Sequence, residues 1–217
     1  MTPLVKICGL QDAERLCAAL EAPIDIIGFV FAPSRRRVTP EQAAAMIGAA
    51  RRRGGRLPRF AGVFVDPTPE ELARVLACAP LEIVQLHGRE DAAFCRRVKQ
   101  TFGVDVFKVF DIREQEADAP LPPELDAFAG AVDALMLDTA GGGSGRTFRW
   151  EAIPPYRAWA RAHGIPLIVA GGLTADNVRE LIERYEPDGV DVSSGVETDG
   201  VKDVAKIHTF VGRVKTS

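Results

Sequence analysis

Two side chains stand where proton transfer could be done. Cys8 ends the run Leu4-Val5-Lys6-Ile7-Cys8, and Asp138 follows Leu135-Met136-Leu137. A lone cysteine is ordinarily a small buried hydrophobe. Lys6, however, shares the alternating face of Cys8, and a nearby ammonium would favour the thiolate, which makes Cys8 a candidate base or nucleophile. An aspartate at the head of a loop can simply cap a turn. The glycine-rich stretch Thr139–Trp150, read as a mobile lid, offers the alternative of a general acid in a site that the lid dries out.

Two further segments suit an anion. Gly171-Gly172 leads towards a helix read as Thr174–Arg184 with Thr174 as its cap, and Ser193-Ser194-Gly195 follows an apolar run. Glycines let backbone N–H groups approach an anion, and a helix N-terminus adds a favourable field. The bland alternative is two ordinary glycine turns.

These residues need elements to hold them. Apolar runs predict strands over Leu4–Cys8, Asp25–Phe31, Phe60–Val65, Ile83–Leu86, Val104–Val109, Ala134–Leu137, Pro166–Ala170 and Gly189–Val192. Helices are expected at Gln11–Leu20, after Thr39-Pro40-Glu41, after Thr68-Pro69-Glu70, at Asp91–Phe102, at Thr174–Arg184 and at Asp203–Val214. Arg113 to Gly130, with Pro120, Pro122 and Pro123, predicts only a short or irregular helix. Eightfold strand–helix alternation predicts a parallel α/β sheet: a closed (β/α)8 TIM barrel, with a doubly wound open sheet as the rival. A barrel's active site lies at the C-terminal ends of its strands, and its loops seven and eight commonly bind phosphate. Cys8, Asp66, His87, Asp111, Asp138, Gly171-Gly172 and Ser193-Ser194-Gly195 would then share one rim.

The 217 residues carry a net charge of −3 with 47% apolar residues. That fits one folded domain over 1–217 and argues against nucleic-acid or membrane partners. Arg51-Arg52-Arg53 reads as a helix C-terminus, where cations offset the dipole. The four cysteines are widely spaced, form no zinc pattern and suggest reduced thiols in the cytoplasm. Cys17, Cys78 and Cys95 read as structural, and His163 and His208 as packing or surface residues.

Together, Lys6-Ile7-Cys8-Gly9, Gly28-Phe29-Val30-Phe31, Ser34-Arg35-Arg36-Arg37-Val38, Gly62-Val63-Phe64-Val65, Val84-Gln85-Leu86-His87-Gly88, Leu137-Asp138, Gly143–Trp150, Ala170-Gly171-Gly172-Leu173 and Asp191–Glu197 resemble the phosphoribosylanthranilate isomerase family, in the family's order. The resemblance implies an Amadori rearrangement of a phosphorylated aminoaldose in tryptophan biosynthesis, with Asp138 as acid, Cys8 as base and no cofactor or metal. It also implies that Arg36 pairs with the anthranilate carboxylate and that Asp191 touches the ribose. Arg35 stands where the family has a proline, Arg37 is a further candidate, and the loop Gly141-Gly142-Gly143 is one glycine longer than the family leads one to expect. A monomer or homodimer is expected. Indoleglycerol-phosphate synthase, the rival in the same fold, should carry a lysine–glutamate set and a longer N-terminus. A histidine-pathway relative should have aspartate at Cys8, and a barrel that only binds a phosphometabolite need keep neither Cys8 nor Asp138.

Overall fold

The computed structural model describes residues 2–113, 120–140 and 147–216. Eight parallel strands follow one another: β1 Leu4–Cys8, β2 Ile26–Val30, β3 Arg59–Phe64, β4 Ile83–Leu86, β5 Asp105–Ile112, β6 Ala134–Thr139, β7 Leu167–Val169 and β8 Gly189–Val192. Each pairs with its sequence neighbours and β8 returns to β1, so the sheet closes into a barrel. Helices α1 Ala13–Ala19, α2 Pro40–Arg53, α3 Pro69–Cys78, α4 Ala92–Phe102, α5 Ile153–Ala162 and α6 Val178–Tyr185 surround it, and α7 Val204–Lys215 follows β8. Among the described residues between β5 and β6 the helical element is a 3-10 segment, Pro123–Phe128, short as the prolines there lead one to expect.

Successive side chains of a strand point to opposite faces. One parity packs outward against the helices, as Val5, Ile7, Leu135, Leu137, Val190 and Val192 do. The other fills the barrel with Ile26, Ala61, Ile83, Phe107, Val109, Ala134, Met136 and Ile168. Carried to the C-terminal ends, the inward parity reaches Lys6 and Cys8 on β1, Gln85 on β4, Asp111 on β5, Asp138 on β6 and Asp191 on β8. One alternation rule therefore builds the core below and collects polar groups above.

The opposite end of the barrel is held by acids. Asp25, Glu82, Asp133 and Asp188 immediately precede β2, β4, β6 and β8. Each accepts a backbone N–H from the preceding strand: Val5 at 2.9 Å, Phe60 at 2.8 Å, Val106 at 2.9 Å and Leu167 at 2.8 Å. The same device thus recurs at every second strand and satisfies donors that have no sheet partner at the strand's start.

Several elements differ from the sequence expectation. β5 and β6 run on through Asp111 and Asp138, so these two residues lie within strands and do not follow them. Thr174 is not a helix cap. α6 begins at Val178, and Asn177 turns back so that its Oδ1 accepts the Thr174 N–H at 2.8 Å while its Nδ2 donates to the Gly172 carbonyl at 3.1 Å. Helix α5, which opens on Ile153-Pro154-Pro155, was not among the expected helices. Both prolines sit in its first turn, where no intrahelical N–H is needed. The glycine-rich residues 141–146 and residues 114–119 lie outside the described residues.

Asp133→Ala tests the acids at the strand starts. The buried Val106 N–H would lose its acceptor, at a cost of about 1–3 kcal/mol. Urea denaturation should show that loss, with turnover of the remaining folded protein unchanged.

Candidate active site

At the C-terminal mouth a cleft of about 350 Å³ is lined by Cys8, Arg36, Gln85, His87, Asp111, Asp138, Asp191 and Ser193, with Val30, Val63 and Val65 forming apolar wall. A larger hollow of about 690 Å³ lies beside it and shares only His87 and Asp111 with it. The buried charges of that hollow, Lys108 and Glu90, bind each other at 3.0 Å, so the convergent polar groups belong to the smaller cleft.

Cys8 is fully enclosed by charged company. Lys6 Nζ donates to Asp191 Oδ1 at 3.0 Å inside the barrel. Gly28 makes the room: a Cβ there would stand 3.0 Å from both Cys8 Sγ and Lys6 Nζ. Burial pushes the Cys8 thiol up, and Lys6 pulls it down without prevailing, so the net shift is upward. The expectation that Lys6 favours the thiolate holds in sign but is outweighed by desolvation. Burial also works against the Lys6 ammonium, yet Asp191 and then Cys8 hold its pKa above the usual lysine range.

Asp138 is the next-to-last residue of β6, with Oδ1 accepting its neighbour Thr139 N–H at 2.7 Å and Oδ2 lying 3.9 Å from His87 Nε2. Burial raises its pKa to about 6; His87 opposes this, and Asp191 adds to it. His87 is itself held above the usual imidazole range. Burial opposes its charge, but the hydrogen bond to Asp111 at 3.0 Å and the charge of Asp138 prevail. A carboxyl with a pKa near 6 is poised to donate a proton close to neutrality.

Of the three consecutive arginines only Arg36 lines the cleft. Its stem crosses Gly9, where a Cβ would come within 2.7 Å of Arg36 Cδ and where φ is +87°, so glycine is required twice over. Its head donates from Nε to Glu197 Oε1 at 2.6 Å and from Nη2 to Oε2 at 3.1 Å. Arg35 is largely exposed and reaches the same carboxylate at 2.6 Å, while Arg37 faces a groove beside α2 and α3.

The anion-type loops come together. A Cβ on Gly195 would run into the Leu173 carbonyl, so loops seven and eight touch backbone to backbone. Gly171, Gly172, Ser193, Ser194 and Gly195 are half-buried, and Gly171 and Gly172 both have positive φ. Ser193 alone of the five lines the cleft; it ties the loop to β1 by donating from Oγ to the Cys8 carbonyl at 3.0 Å. Because α6 starts at Val178, the helix N-terminus expected at Thr174 to supply a favourable field is not there. Asp66 lies outside the cleft. It adopts φ 46° and accepts the Arg89 N–H, a role in shaping loop four. Cys17 and Cys95 lie within α1 and α4, and Cys78 ends α3. Among the described residues no cluster of His, Cys, Asp or Glu is placed to hold a metal ion.

Sequence reasoning missed Glu197 and Lys202. Lys202 is buried and donates to Glu197 Oε1 at 2.6 Å and to the Ser193 carbonyl at 2.8 Å. The available signal was Asp199-Gly200, a two-residue hairpin turn with both residues at positive φ between β9 Glu197–Thr198 and β10 Val201–Lys202.

The closed barrel, with an acid, a thiol and an arginine at its C-terminal mouth, defines a barrel enzyme of the acid–base type acting on an anionic substrate. A sequence model of N-(5'-phosphoribosyl)anthranilate (PRA) isomerase matches residues 5–213. The N-(5'-phosphoribosyl)anthranilate isomerase of Brevibacillus brevis is 44% identical over 97% of this chain and 93% of its own length. That of Listeria monocytogenes is 42% identical over 98% of both. Among solved structures, phosphoribosylanthranilate isomerase from Thermotoga maritima, studied as monomers of a dimeric enzyme, covers 99% of this chain and all of its own at 32% identity, with a TM-score of 0.81. A complex of the isomerase with reduced 1-(o-carboxyphenylamino)-1-deoxyribulose 5-phosphate gives 31% identity, the same coverage and a TM-score of 0.78. The chain belongs to the phosphoribosylanthranilate isomerase family of tryptophan biosynthesis.

Asp138 carries a stability signature. Its folded-state pKa of about 6 lies above the unfolded carboxyl's, so stability falls as pH rises from about 4 through 6 and is level above. Asp138→Asn removes that penalty. It should match the parent near pH 4 and be more stable at pH 7.5 by on the order of 2 kcal/mol. Urea denaturation at the two pH values reads the difference, and a variant less stable at pH 7.5 would contradict the upward shift.

Proposed function

We propose that this cleft rearranges N-(5'-phosphoribosyl)anthranilate to 1-(o-carboxyphenylamino)-1-deoxyribulose 5-phosphate by general acid–base catalysis. The supporting observation is that Cys8, Asp138 and Arg36 line one cavity, with the glycine loops beside it. Asp138 donates its proton to the ribose ring oxygen as the C1′–O bond breaks, which leaves a Schiff base. Cys8 as thiolate removes the C2′ proton, and the electron pair moves to form an enolamine that tautomerises to the aminoketose. Arg36 meets the anthranilate carboxylate with a fork suited to it. Loops seven and eight, at Gly171, Gly172, Ser193, Ser194 and Gly195, take the phosphate, and Asp191 the ribose. Residues 1–217 work as one cytoplasmic domain, as a monomer or homodimer. No helix among the described residues is long and apolar enough to cross a membrane.

A fluorescence assay following the loss of freshly made phosphoribosylanthranilate tests the assignment. Cys8→Ser and Asp138→Asn should each lose nearly all turnover yet bind product, because a hydroxyl is a far weaker base than a thiolate and an amide gives no proton. Arg36→Ala should mainly raise KM. Near-normal kcat in either of the first two removes that residue from the mechanism.

The pH profile follows from the inverted order of the two groups. The acid, Asp138, has the lower pKa, near 6, and the base, Cys8, the higher. The working form, with Asp138 protonated and Cys8 ionised, carries the same proton count as the dominant form with a carboxylate and a thiol. Its share is therefore constant between the two pKa values. kcat/KM should rise through about pH 6 and then hold level into the alkaline range. Lys6, Asp191 and Lys202 act on the Cys8 limb, and His87, Asp191 and Asp111 on the Asp138 limb. Product affinity over the same range separates the substrate phosphate's own ionisation, and a rate that falls steadily above pH 6 would refute the scheme.

A further inference from the structure

Among the described residues Glu197 is the carboxylate with the most side-chain donors. Arg36 Nε and Nη2, Arg35 Nη2 and Lys202 Nζ all donate to it, at 2.6, 3.1, 2.6 and 2.6 Å. Its side chain is 5% exposed. Lys206 Nζ fixes its backbone carbonyl at 2.8 Å, and the antiparallel pairing of β9 with β10 fixes its strand. A carboxylate gripped in this way has its pKa held near 2 against the opposing effect of burial, so it stays ionised throughout the working range.

The geometry of the grip matters more than its charge. Glu197 occupies the Nε/Nη2 edge of the Arg36 guanidinium. Among the described residues Nη1 has no protein partner, so the fork retains donors for a second carboxylate. An arginine side chain has several soft torsions, and fixing them beforehand lowers the ordering cost that a ligand must meet. Gly9 supports the stem from one side and Glu197 the head from the other. Three cations around one anion leave this cluster with a net positive charge.

We propose that Glu197 is a positioning residue for substrate recognition: it clamps Arg36 by one edge so that the opposite edge is presented, already oriented, to the aromatic carboxylate. The proposal rests on the reading that Arg36 meets that carboxylate. It adds a specificity role for a residue that touches no substrate.

Two ligands separate the possibilities in isothermal titration of the full chain: the reduced product 1-(o-carboxyphenylamino)-1-deoxyribitol 5-phosphate and its counterpart with hydrogen in place of the carboxylate. Arg36→Ala should weaken the first at least about tenfold and the second by no more than about twofold. Glu197→Gln should act with the same selectivity, at about five- to tenfold on the carboxylated ligand, and should raise KM with kcat nearly unchanged. Glu197→Asp keeps the charge but is one methylene short, and should recover only part of the loss. The double variant Arg36→Ala/Glu197→Gln should be no worse than Arg36→Ala alone. Equal losses for both ligands in Glu197→Gln and Glu197→Asp would overturn the proposal, since Glu197 would then only hold the loop after β8. Unchanged or tighter binding of the carboxylated ligand would also overturn it, with Glu197 shown to compete for Arg36. If Arg36→Ala itself is indifferent to the carboxylate, the assignment of Arg36 fails and the clamp fails with it. That result is distinct because it appears in the variant with Glu197 intact.

Discussion

The barrel closes where β1 meets β8, and at that seam Lys6 stands in register with Asp191, their charged ends 3.0 Å apart in the interior. Two charges removed from water cost more than most hydrophobic contacts return, unless each has its partner. Slipping the seam by one residue would turn Lys6 out among the apolar groups under the helices and leave Asp191 alone inside. The pair is therefore as much a statement of register as a source of stability. It also decides the surroundings of Cys8, which shares the inward face of β1 and sits against the same gap at Gly28.

That dry, charged interior sets the order of the ionisations above it. Desolvation raises both Cys8 and Asp138, though the proposed mechanism needs the two in opposite states. A drier site yields a better acid reservoir at Asp138 and a scarcer thiolate at Cys8, so Lys6 and Lys202 can be read as limiting the second cost without abolishing it. The thiolate that does form is poorly solvated and correspondingly basic. His87 plays the matching part for Asp138, since its charge, supported by Asp111, keeps the carboxyl from rising further.

How much of this was legible in the sequence follows from the range of the interactions. The strands and their order could be read because an apolar run bounded by polar loops is local, and so could the rim residues at the ends of the runs. The caps at Thr39 and Thr68 were equally local. Thr174 misled because its sequence looks like theirs, whereas Asn177 bonds back to Gly172 and Thr174 and delays the helix. The ends of β5 and β6 were placed early because Asp111 and Asp138 look like loop residues, although the sheet carries them on. Glu197 could not be found by spacing at all. Its partners Arg35 and Arg36 lie some 160 residues away in sequence, and only barrel closure brings loops two and eight together.

Loop eight is the place where these parts meet. Ser193 bonds the Cys8 carbonyl, Lys202 bonds Ser193 and Glu197, and Glu197 bonds Arg36. A stretch of ten residues thus connects the backbone of Cys8, the glycine loop after β8 and the Arg36 fork. Its stiffness comes from a tight hairpin whose Asp199 and Gly200 take the left-handed conformations that short turns demand. A substrate with an anion at each end is located by two points, and the reacting carbons between them gain orientation only if those points cannot move independently. Because one short loop carries both Ser193 and Glu197 and also holds the carbonyl of Cys8, a displacement of the loop at Glu197, and with it of the Arg36 head, is shared with the backbone of Cys8.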